Sequence, residues 1–208
     1  MRRQIEAAGI FVLLKGNLGS YHSNIAVTVF RGFALSDDIA PFIVINDRDS
    51  EAAWSFTLVH ELAHLILGKT GISGTYAEKK IEKFCNEVAS EFMLPANEFN
   101  LFRPSSFDIE TLKREISDYA LSHKLSSSHI TYRLYLRGDI DKQLWESLRT
   151  YYRDRWHEQR SIIKEKNKQK EGGPNYYIVQ NYKLGALNDL FRRNNNYESR
   201  NVIGCETT

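Results

Sequence analysis

The sequence predicts an α+β fold, with a small β-sheet first and helices after it. Strand-like runs rich in β-branched and aromatic residues fill the first fifty positions: "IFVLL" (10–14), "IAVTVF" (25–30) and "PFIVIN" (41–46). Gly16, Gly19, Gly32 and the pair Asp37–Asp38 punctuate these runs as turns. From Asp49 the pattern changes to helix formers and stays helical to about Lys168.

Little polar alternation marks the early runs, so the strands are expected to be covered by helices on at least one face. "DSEAAWSFTLVHELAHLILG" (49–68) opens with capping residues and closes at Gly68, a natural helix stop. A second helix is expected from about Ala77 to Phe92, ending before Pro95. Further helices are expected over 108–125, 126–138 and from Asp141 to about Lys168, the last broken by Gly172-Gly173-Pro174. "RSIIKEKNKQKEGG" (160–173) reads as a solvated helix end and linker. Beyond it "YYIVQNY" (176–182) is strand-like, "KLGALNDLFRR" (183–193) helix-like, and "NNN" (194–196) opens a polar tail. Two domains are therefore expected: residues 1–140, and a helical extension with linker and tail over 141–208.

Charge excludes one class of function. With 28 basic against 26 acidic side chains the formal net charge is +2, which gives no electrostatic case for nucleic acid as the main partner. Cys85 and Cys205 lie far apart, so no disulfide framework is expected and a reducing, cytoplasmic setting is. The amino-terminal run "GIFVLL" is too short for a secretion signal and follows Glu6, and no apolar stretch reaches membrane-spanning length.

The chemistry is concentrated in "TLVHELAHLIL" (57–67), where His60, Glu61 and His64 interrupt an otherwise apolar helix. Residues four apart on a helix differ by roughly 40° of rotation, so His60 and His64 project from one face a turn apart. Two imidazoles so placed reach one metal ion about 2 Å from each nitrogen. Glu61, beside that face, is placed to act as general base on water at the metal, the logic of H-E-x-x-H.

A catalytic zinc site usually has a third protein ligand and one open position. A downstream histidine does not supply it in register, since position 70 is Thr. The next helix, "KKIEKFCNEVASEFMLP" (79–95), offers Glu82, Cys85, Glu87 and Glu91. Glu82 and Asn86 share a face, which favours Glu82 as ligand with Asn86 orienting a ligand histidine. Cys85 is the main rival; a buried thiol is its bland alternative, and a solvated helix face is that of Glu87 and Glu91.

The stretches "APFIVIN", "FTLVHELAHLILG" and "IEKFCNEVASEFMLP" together resemble the ImmA/IrrE-type metallopeptidases, over roughly residues 4–138. The resemblance implies a gluzincin-like fold, a sheet packed on a pair of active-site helices. It implies zinc held by His60, His64 and Glu82, with Glu61 as base. Cys85 stands where the family usually has Ala, and Val88 where it usually has Phe. The resemblance also implies a protein substrate, a helix-turn-helix repressor of a phage, mobile element or stress response. The alternative is a regulatory module that keeps zinc for structure and grips a repressor without cutting it.

A third reading gives "SSSHITYRLYLRG" (126–138) to DNA through Arg133 and Arg137, against a packing helix that buries Ile130, Leu134 and Leu136. Trp145, Leu148, Tyr152 and Trp156 give the following helix one apolar face.

Overall fold

The computed structural model describes residues 1–18, 23–68, 76–168 and 175–191, and only the backbone of 76–78, 164, 167 and 168. The expected Gly172-Gly173-Pro174 break, the polar tail from 194 and Cys205 lie outside the described residues. The α+β class is what the chain adopts. Three strands, β1 (Phe11–Leu14), β2 (Gly32–Leu35) and β3 (Phe42–Ile45), form a sheet in the order β1-β3-β2. β1 runs parallel to β3 with Val12 opposite Ile43 and Leu14 opposite Ile45, and β2 runs antiparallel to β3 with Gly32 opposite Ile45. Residues paired across neighbouring strands point to the same face. That face buries Val12, Leu14, Ile43 and Ile45 against Leu58 of helix α2 (Glu51–Ile66), with Trp54, Leu62 and Leu65 packed around them.

The strand expected over 25–30 is not formed. Val29 instead closes a turn onto Ala26, and the carbonyls of Ile25 and Phe30 accept hydrogen bonds from the Asn46 side chain, at 3.2 and 3.0 Å. One buried amide thus replaces a strand ladder for this segment, and the strand begins at Gly32, which the sequence suggested only as a separator.

Helix α2 follows its sequence signals closely. Ser50 caps it by accepting from the Ala53 amide at 3.2 Å, Glu51 sits in its first turn, and Gly68 just past its end has φ +63°. Helix α3 (Tyr76–Met93) stops before Pro95, and a single turn, α4 (Ala96–Phe99), follows.

The described chain groups into two compact units: the described residues of Met1–Ala89 with those of Pro174–Thr208, and those of Ser90–Gly173. The second unit holds α5 (Ile109–Ser122), α6 (Ser127–Arg137) and α7 (Lys142–Lys168) around Leu112, Ile116, Ile130, Leu134 and Leu148, all fully buried. Leu136, expected in that core, is 56% exposed.

Both ends of the first unit depart from expectation. A short helix α1 (Arg2–Ala7) precedes β1, and "YYIVQNY" forms helix α8 (Tyr176–Leu184) rather than a strand. Asn175 caps α8 by accepting from the Tyr177 amide, and Arg2 donates to the carbonyls of Tyr182 and Lys183 at its far end. These contacts satisfy terminal groups that a helix leaves unpaired, and they override the β-leaning composition of the run. Helical backbone resumes over 186–191, as expected for that stretch.

Candidate metal centre

Helix α2 is apolar toward the sheet, and that packing fixes the rotation at which its polar residues emerge. His60 and His64 leave one side of it and meet Glu82 of α3. His60 Nε2 lies 3.3 Å from one Glu82 carboxylate oxygen, and His64 Nε2 lies 3.1 Å from the other. The two Nε2 atoms are themselves 3.1 Å apart. His64 is buried, His60 and Glu82 are partly so, and Phe56 stacks on the His60 ring one turn back.

The donor set fits a divalent metal. Ligand atoms about 2.0–2.1 Å from a tetrahedral zinc lie roughly 3.3 Å from one another, and the three observed separations cluster there. Burial lowers the pKa of His60, outweighing the nearby Glu82 carboxylate, and so favours the neutral imidazole a metal requires. Among the described residues no other group of His, Cys, Asp and Glu converges in this way.

The rival ligands go elsewhere. Glu87 is exposed and faces Lys83 at 3.7 Å, while Glu91 accepts from the Ala96 amide and lies 3.6 Å from Arg133. Cys85 is fully buried, and burial pushes its thiol up to about 11, with Glu82 and Glu61 adding to the shift. Such a thiol is not poised to ionise. Asn86 is exposed and lies close enough to the His60 ring to favour its charged form. Among the described residues, however, Nδ1 of both histidines has no hydrogen-bond partner, so Asn86 does not hold either ring through that atom. Phe84 and Phe92, on the same helix, are 48% and 62% exposed.

Glu61 is 7% exposed, and its Cγ and Oε1 lie against the start of β2 at Gly32. Burial is the main cause, and the Glu82 charge the lesser one, of a carboxyl pKa pushed up to about 7. A cation on the neighbouring donors would lower it again. A carboxyl in that range can both take and return a proton near neutrality.

Two residues shape the site without carrying its chemistry. A Cβ on Gly32 would fall 2.4 Å from Thr57 Cγ2 and 3.2 Å from both Cγ and Oε1 of Glu61. Asn46, with no exposed surface, ties the 25–30 segment down in front of Gly32. The available signals were a glycine bordering a strand-like run and an asparagine closing an apolar strand.

Other polar and aromatic side chains outside the donor group serve packing. His123 lies on the Tyr119 ring at 4.0 Å and bonds the Tyr119 carbonyl, Tyr132 packs on Trp145, and the Tyr76 side chain lies outside the described residues. Arg133 donates to Ser90, and Arg137 donates to the carbonyls of Phe99 and Phe102 and pairs with Asp139. The arginines proposed to read DNA are thus committed within their own unit.

Fold and site together define a protein built around an HExxH helix whose imidazoles meet a carboxylate from the succeeding helix. The chain belongs to the peptidase M78 family: residues 9–135 match its IrrE N-terminal-like domain. No curated protein matches the chain. Membership makes this a peptidase-type domain and implies a metal. Among the described residues no helix is long and apolar enough to cross a membrane.

Proposed function

We propose that the chain is a zinc-dependent endopeptidase that cuts a helix-turn-helix repressor at a specific peptide bond. In this reading His60, His64 and Glu82 hold the metal, Glu61 is the general base and Asn86 supports His60. The observation that carries it is the convergence of the three donors beside a buried carboxyl on the same helix. Zinc bound there supplies Lewis-acid polarisation of a carbonyl and acidification of a water. Glu61 accepts the proton released as water attacks the scissile carbonyl and delivers it to the leaving amine. The apolar packing behind α2 fixes the spacing of His60 and His64. The repressor and the cytoplasmic setting rest on the resemblance to ImmA/IrrE-type proteins and on the charge balance.

The test is Glu61→Gln, incubated with the repressor encoded beside the gene and run on a gel. Zinc content is expected to match the unaltered chain while cleavage falls by at least about 100-fold. Unchanged cleavage would remove Glu61 from the role of base. Fragments that persist in chelator, or their absence from the unaltered, zinc-loaded chain, would favour the reading in which the domain grips a repressor without cutting it.

A further inference from the structure

Glu61 is the one group in the proposed reaction that is not anchored by a ligand bond, so something else must set its position. The strand β2 begins against it. The place a side chain would take at Gly32 is already filled by Thr57 and by Glu61 itself, whose Cγ and Oε1 both lie 3.2 Å from an added Cβ. The backbone at Gly32 thus forms the wall on which the Glu61 side chain rests.

That wall is held from several directions. The Asn46 side chain donates to the carbonyls of Ile25 and Phe30, and its backbone amide donates to the Arg31 carbonyl at 2.8 Å. Arg31 faces Asp49 at 3.6 Å, and Asp49 accepts from the amide of Ser50, the residue that caps α2. The link from β3 to α2 therefore grips both the start of strand β2 and the start of the helix that bears Glu61.

We propose that Gly32, seated by Asn46, is a positioning residue for Glu61: its bare backbone fixes where the carboxylate lies relative to His60 and His64. This rests on the proposed role of Glu61. Displacements well under an ångström at a reacting group already slow catalysis, so a methyl group at residue 32 should act on turnover more than on substrate binding.

Gly32→Ala alone mixes two effects, because its closest clash is with the Thr57 methyl at 2.4 Å rather than with Glu61. Thr57→Ser removes that methyl. The comparison is therefore Thr57→Ser against the double variant Gly32→Ala/Thr57→Ser, both as the full zinc-loaded chain. The double variant is expected to regain the melting temperature of Thr57→Ser and to keep its zinc. Its kcat should still be at least about tenfold lower, with KM within about twofold. The cobalt-loaded forms give a second readout, a visible absorption band that differs between the two variants. Equal kcat and identical spectra in the two variants would overturn the proposal. If the unaltered chain cleaves nothing, the reading of function fails, and the cobalt spectra still decide the positioning.

Discussion

At the scale of single residues, the donor cluster makes a specific demand of Glu82. Its carboxylate spans both imidazoles, with one oxygen toward each ring, so its loss leaves two Nε2 atoms 3.1 Å apart with no anion between them. Glu82→Ala is expected to lower zinc affinity by more than about 100-fold, read by competition with a metal-sensitive dye. Retained stoichiometric zinc would shift the third ligand to Cys85 or Glu87. A second residue-scale prediction concerns His129, which is buried and bonded to Ser90 at 3.0 Å. Arg133 donates to the same Ser90 oxygen. Burial first and Arg133 second lower the His129 pKa from 6.5 to about 4. The unfolded chain therefore binds a proton that the folded chain refuses. This stability is fully present above pH 6.5 and is lost as pH falls toward 4, about 3 kcal/mol over the whole window. Urea unfolding of the 90–173 unit should show that acid loss, and His129→Gln should flatten it; an unchanged pH slope in the variant would rule it out.

At the scale of elements, α2 shows what a sequence can carry. Its start, its end and the face bearing His60 and His64 all follow from Ser50, Glu51, Gly68 and the four-residue spacing, because each signal acts within a turn of itself. Ser50→Ala is accordingly expected to cost about 1 kcal/mol in chemical denaturation, with zinc stoichiometry unchanged. The expectation that Glu82 meets the two imidazoles has a related origin: helix periodicity narrowed the choice, and family resemblance closed it. The misread elements have causes beyond their own windows. Residues 25–30 carry strand-forming side chains, but their carbonyls are claimed by Asn46, sixteen or more positions away. Residues 176–182 are a short run that composition cannot divide between strand and helix, and Arg2, 180 positions distant, decides it by binding the carbonyls at the helix end. The role of Gly32 was hidden because a missing side chain announces only that something is close, not what.

At the scale of the whole molecule, the chain leaves its first unit near residue 89 and returns to it after 173. The returning helix α8 packs on β1, whose other side is paired with β3, so it covers an edge that would otherwise expose strand backbone. The contact is polar and specific. Arg2 joins the Val12 carbonyl on β1 to the last carbonyls of α8, Glu6 accepts from the Ala186 amide, and Lys183 pairs with Asp47 at the end of β3. Gly185 leaves room for this, since a Cβ there would strike Glu6 and Arg2. Residues 2–7 and 176–186 both lie outside the stretch, 9–135, that matches the peptidase family. A chain ending at residue 173 should lose these exposed and part-buried polar contacts, together about 1–2 kcal/mol net, and so melt roughly 5–10 °C lower in its sheet-bearing unit. His60, His64 and Glu82 all remain in the shortened chain, so zinc uptake at low temperature should survive the truncation. Asp47 supplies the decisive control. In the full chain its carboxylate has Lys183, and Asp47→Asn should destabilise; in the shortened chain that partner is gone, and Asp47→Asn should be close to neutral. Equal effects of Asp47→Asn in both backgrounds would show that α8 does not hold the end of β3.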